Sequence, residues 1–129
     1  MNPALLALPA AVATLLSGGH RPVDPGPPPP GGLSAQACAP CHAALVEEWA
    51  ASGHGIAWTD PIFQREWQLE RQPWCVHCHA PLTAQHDEVK KGGGPLASEG
   101  VTCAACHLRD GKMISTRRAP RSPHDTVAL

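Results

Sequence analysis

"CAPCH" at residues 38–42 decides the reading of this chain, because the pattern returns as "CVHCH" at 75–79 and "CAACH" at 103–107. The three stretches use all six cysteines: Cys38 and Cys41, Cys75 and Cys78, Cys103 and Cys106. Each pair is followed at once by a histidine, His42, His79 or His107. Disulfide bridging does not ask for a histidine after each pair. Structural zinc takes two C-x-x-C knuckles per ion, which leaves the third pair over. A thioredoxin-like redox motif occurs once, in a strand–helix context, and no strand pattern accompanies these motifs. Covalent c-type haem is the remaining chemistry, with C-x-x-C-H as its attachment signature.

The geometry explains the signature. Two thiols add to the two vinyl groups on one porphyrin edge, and the adjacent imidazole reaches iron as the proximal ligand. With eight His in 129 residues, a histidine follows one pair by chance with a probability of roughly 6%. For all three pairs the figure is on the order of 2 in 10,000. The sequence therefore predicts three c-type haems, bound through the six cysteines, with His42, His79 and His107 on the irons.

Composition agrees. The formal charge of −1 offers no basic field for nucleic acid. Hydrophobic residues reach 43%, yet there are only four Trp, one Phe and no Tyr, and Ala and Cys bury little area each. So few large side chains cannot offset the ordering entropy of a small domain, so something else must fill the middle. Haems would do so, giving a mainly α fold with much irregular coil in which the cofactors form the core. Apoprotein is then expected to be largely unfolded.

Residues 1–19 read as a signal peptide. "PALLALPAAVATLL" (3–16) is uncharged and apolar, shorter than the roughly 20 residues a membrane span needs, and "AVA" at 11–13 offers a small-x-small cleavage site. No Lys or Arg precedes it, so either the true start lies upstream or the signal is weak. No lipidated cysteine follows. Residues 20–33, "HRPVDPGPPPPGGL", are too rich in Pro and Gly for a packed element and read as a linker containing a solvated His20. Residues 34–129 form the trihaem domain. Since c-type haem is attached outside the cytoplasm, the motifs and the signal agree on a periplasmic or otherwise extracytoplasmic protein, peripheral to the membrane at most.

The order "CAPCHAALVEEWAASGH", "DPIF", "CVHCHAPL", "EGVTCAACHLRDG" resembles the cytochrome c-554-like multihaem cytochromes, a group related to the haem core of hydroxylamine oxidoreductase and octahaem reductases. The resemblance runs from 38 to about 124 and rests most on Trp49-x-x-Ser52-x-His54 and on the Gly100-Val101-x-Cys103 lead-in. It implies electron shuttling through closely stacked bis-histidine haems, or, in some members, enzymes with one open haem. The relatives usually have four or more motifs, so three make this either a minimal member or a fragment.

Residues 43–52 read as a helix of good formers with Leu45 and Trp49 on one face, stopped by Gly53. His54 then lies 12 residues beyond His42, roughly 18 Å along a helix, so it should ligate a haem other than its own. The resemblance likewise implies that His54 is a distal ligand. His124, in the Pro-rich coil "RAPRSPHDT", is a further candidate, as the relatives place a ligand in a similar coil. His86 is either a ligand or a solvated helix residue. His77, inside its own attachment loop, reads as exposed or propionate-facing, and Met113 as packing. Asp60 and Pro61 open a second helix, with Phe63 and Trp67 on one face, that Pro73 should end. "KKGGGP" (90–95) reads as a flexible loop, and Lys90, Lys91, Arg117, Arg118 and Arg121 as solvated cations.

These residues predict an extracytoplasmic electron carrier whose partners are redox proteins: other cytochromes, a quinol oxidase or a terminal reductase. No activated nucleophile, carboxylate pair or nucleotide loop is present. Two alternatives stand beside it. One is a reductase of small nitrogen or sulfur compounds at a five-coordinate haem; the other is a haem-bearing module of a larger complex.

Overall fold

Asp60 shows how local chemistry sets the elements of this chain. Its carboxylate accepts from the N–H groups of Ile62 (3.0 Å) and Phe63 (2.9 Å), and Pro61 follows at the first helical position. The computed structural model describes residues 21–115 and 126–128. The signal at 1–19, His20, Arg117, Arg118, Arg121 and His124 lie outside the described residues.

Among the described residues, a 3-10 turn (Ala35–Cys38) runs into α1 (Ala39–Ala50). Next come α2 (Pro61–Glu70), α3 (Pro73–His79), α4 (Thr83–Lys90), α5 (Pro95–Ser98) and α6 (Cys103–His107). Strands β1 (Leu108–Arg109), β2 (Lys112–Ser115) and β3 (Thr126–Ala128) close the chain. The fold is mainly α with much coil, as the composition implies. No helix among the described residues is long and apolar enough to cross a membrane.

Three details differ from expectation. The helix read at 43–52 starts at Ala39, kinks at His42 (φ −126°, ψ 38°) and ends at Ala50, short of Gly53. Pro73 does not end α2. Arg71 does, in the left-handed region (φ 47°), and Pro73 instead starts α3 at a position where its missing N–H costs nothing. The absence of strands is also corrected. Asp110 (φ 50°) and Gly111 (φ 75°) form a two-residue hairpin turn between β1 and β2, pairing Leu108 with Met113 and Arg109 with Lys112. β3 then pairs with β2 in parallel, Ile114 opposite Val127.

Part of the segment read as a linker lies against this body. Val23 N–H donates to the Pro81 carbonyl (2.8 Å), Thr83 N–H to Val23 (3.0 Å), and Gly111 N–H to Pro25 (2.9 Å). A Cβ on Gly26 would sit 2.6 Å from the Gly111 nitrogen, so only glycine allows this approach.

The apolar core is thin and split. Leu82, Ala104, Ala105 and Leu108 form one cluster, joined by Val23, Leu33, Val101 and Met113. Trp58, Val76 and Ala80 form another, against Phe63, Trp67 and Val89. Neither has the bulk to hold about a hundred residues alone. What lies between the elements is a cavity.

Candidate functional site

Each C-x-x-C-H stretch occupies a helix or the turn leading into one, so its residues at i, i+3 and i+4 project from one face. The second and third motifs lie wholly within α3 and α6, and His79 and His107 are the last residues of those helices. In the first, Cys38 ends the 3-10 turn, and the kink at His42 re-aims its ring. All six cysteines are free thiols; the second of each pair (Cys41, Cys78, Cys106) is exposed and the first half-buried. No group of three or more His, Cys, Asp or Glu side chains among the described residues could hold a bare metal ion.

The first and third motifs share one cavity of about 1210 Å³, larger than the roughly 300–1,000 Å³ of a pocket for one small ligand. All six of their cysteine and histidine side chains line it, and so does His54. Its apolar walls include Leu45, Val46, Trp49 and Met113. Leu45 is 62% exposed, but to this space, which is why an apolar helix face stands uncovered by protein. Cys38 and Cys103 meet through their thiols, and burial, followed by that contact, pushes the Cys103 pKa up to about 11. Two pairs of thiols facing an apolar chamber, each with an imidazole alongside, fit covalent c-type haem, which needs two sulfurs for a porphyrin edge and an imidazole for its iron.

The two sequence elements singled out above dock on each other. Trp49 Nε1–H donates to the Val101 carbonyl (2.7 Å), and Val101 N–H donates to the His54 carbonyl (2.9 Å). Ser52 Oγ donates to the Trp49 carbonyl (2.7 Å) and accepts from His54 N–H (3.2 Å), so the chain turns sharply enough to put His54 into the cavity. Gly100 (φ 65°) has no room for a side chain: a Cβ there would lie 2.5 Å from the His54 oxygen. Indole, hydroxyl and glycine thus fix the histidine relative to Cys103.

The second motif lies outside this cavity. His79 Nδ1 bonds the Ala57 carbonyl (2.5 Å), and because a carbonyl only accepts, Nδ1 carries the proton and the Nε2 lone pair is left available. Phe63 stacks on the same ring (centroids 3.6 Å apart, 7° between planes), backed by Trp58 and Trp67. The expected pairing of Phe63 and Trp67 on one face is present, at 6.3 Å. His107 Nδ1 is turned in the same sense, 3.4 Å from the Ile114 carbonyl.

His86 is buried in α4, so the reading of it as a solvated residue is corrected. Its ring stacks on His77 (centroids 5.0 Å apart) and bonds the Val76 backbone, and its Nε2 is enclosed without a partner. Burial, then the charges of His77 and Lys90, lowers its pKa from 6.5. His77 is half-buried against it. Met113 packs on the Leu82–Leu108 cluster, as expected of a lone Met.

Sequence reasoning missed two polar side chains that hold the site together. Gln85, fully buried, donates to the Leu96 and Gly100 carbonyls and accepts from Leu82 N–H, tying α4 to the Cys103 lead-in. Glu99 accepts from Ser34 Oγ (2.5 Å) and Ala35 N–H (2.7 Å), tying that lead-in to the first motif. The leucine at the start of α4 with Gln three positions on is half of a capping box and the one signal that was readable.

No curated protein and no solved structure matches this chain. The model of the family described as cytochrome c554 and c-prime matches residues 37–108, more than half of the 129. That span holds all three motifs, the Trp49–His54 turn and its glycine partner. The chain belongs to the cytochrome c554 and c-prime family, electron-transfer proteins that carry covalently bound c-type haem.

Proposed function

We propose that this chain is an extracytoplasmic electron carrier with three covalent haems, one on each pair of cysteines. One observation carries the reading: two complete thiol–thiol–imidazole sets and His54 converge on a single apolar cavity. When bound, haem supplies a one-electron couple at iron. The cavity lined by Cys38, Cys41, His42, Cys103, Cys106 and His107 would hold two such groups, and its shared wall would let an electron entering at one leave through the other. His42, His79 and His107 serve as proximal ligands, with His79 oriented by Ala57 and Phe63.

His54 would serve as the second ligand for the haem held by Cys103, Cys106 and His107, a role supported by its cavity position and by its clamp to Val101. The enclosure of His86 Nε2 favours packing over ligation for that residue. His124 remains a second distal candidate. The third haem belongs on α3, where Trp74, next to Cys75, is 68% exposed and offers an apolar surface for it. The same motifs support kinship with the haem core of hydroxylamine oxidoreductase and octahaem reductases. Attachment outside the cytoplasm places the protein in the periplasm or its equivalent, exported by residues 1–19. Its partners there are other cytochromes, a quinol oxidase or a terminal reductase.

The test is the ferric spectrum of the mature protein. Low-spin iron alone, reversibly reduced, supports the carrier. A high-spin band that shifts with nitrite or cyanide would instead favour a reductase with one open haem.

A further inference from the structure

The Pro/Gly-rich segment does more than connect. Val23 and Pro25 are fastened to Pro81, Thr83 and Gly111 by three backbone hydrogen bonds. Twelve residues beyond Val23, Glu99 grips Ser34 and Ala35 with both carboxylate oxygens. Between these anchors the chain makes a tight turn. Gly32 N–H donates to Pro29 (2.9 Å), Gly31 takes a left-handed backbone (φ 97°) where an added Cβ would lie 3.1 Å from the Ala37 Cβ, and Pro29, Pro30 and Gly32 line the cavity that holds Cys38 and Cys41. Four consecutive prolines stiffen the span, because each fixes its own φ.

We propose that residues 23–35 are a strap that walls the haem cavity, with Glu99 as the clasp that positions it, and that this wall sets the potential of the haem on Cys38 and Cys41. The proposal rests on the haem reading above. Its physics is solvation. A ferric porphyrin carries one more positive charge than a ferrous one, so excluding water disfavours the oxidised form and raises the potential. Loosening the strap readmits water and lowers it. Neither the family match, which begins at residue 37, nor the motif reading assigns this segment a role at the haem.

The experiment is a spectroelectrochemical titration of the full mature protein, with haem content measured by intact mass. Glu99→Gln weakens the clasp, and the double variant Pro29→Gly/Pro30→Gly softens the strap without touching a motif. Each is expected to keep wild-type haem content; the proline variant shifts one midpoint potential to a more negative value and leaves the others in place, whereas Glu99→Gln adds to that shift an upward one at the haem on Cys103, because it also removes a carboxylate charge that reaches Cys103. Glu88→Gln is the control. Glu88 caps α5 through Ala97 N–H (2.7 Å), outside the strap, so it should lower the unfolding midpoint without moving any potential. If Glu99→Gln fails to fold, the proline variant decides. Wild-type potentials in fully loaded strap variants, or an equal shift in the Glu88 control, would overturn the strap. Wild-type protein without haem would overturn the underlying reading instead.

Discussion

Ser52 carries the end of α1 on a single hydroxyl, donating to Trp49 and accepting from His54 and Gly55. Ser52→Ala removes the group that turns the chain toward the cavity. A loss of about 1 kcal/mol is expected, read as a lower denaturant midpoint with unchanged m. Trp49→Phe keeps the ring but strands the Val101 carbonyl, and about 1–2 kcal/mol should be lost in the same assay. His54→Ala is expected to convert one haem to high-spin iron, visible in the ferric spectrum; a spectrum without that band would remove His54 from the ligand set. Which residues would matter was legible here, in the Trp-x-x-Ser-x-His pattern. What joins them was not, because Val101 lies 52 positions from Trp49 and its carbonyl has no signature in sequence. His86 gives a further residue-scale outcome. Its pKa is lowered on folding, so above 6.5 both states are neutral and nothing is lost. As pH falls below 6.5 the unfolded chain takes up the proton first, and stability declines until the depressed folded pKa is reached. A fall in unfolding midpoint between pH 7.5 and 5, flattened in His86→Gln, checks this.

At the scale of elements, local chemistry was readable wherever one residue decides. Asp60 and Pro61 announce α2, and Asp60→Ala should cost about 1 kcal/mol by denaturant unfolding, since two N–H groups lose their acceptor. Pro73 misled because proline both ends and begins helices; a left-handed Arg71, which no propensity favours, had already stopped the chain. The hairpin at Asp110 and Gly111 is marked in the sequence by an Asp-Gly pair between Leu108 and Met113, but strands this short carry no readable alternation. The Pro-rich segment reads as unstructured because its contacts are backbone bonds to Pro81, Thr83 and Gly111, which leave no mark on composition.

For the whole molecule, the shortage of large side chains is matched by two small apolar clusters, and the first of them reaches the cavity through Val101 and Met113. Which motifs share the cavity could not be read from spacing, since the first and third are brought together across the chain by Glu99 and Trp49 while the second faces elsewhere. Without haem this arrangement has little to hold it. Protein made in a host lacking c-type haem maturation should show weak helical circular dichroism and collapsed amide dispersion, and a well-folded apoprotein would argue against a cofactor core. The most direct measurement is the intact mass of the exported, mature chain under denaturing conditions. The expected mass is that of the polypeptide plus three tetrapyrroles that survive unfolding, because each is tied by two thioether bonds. A mass showing fewer than three, or cysteines joined only to one another, would contradict it.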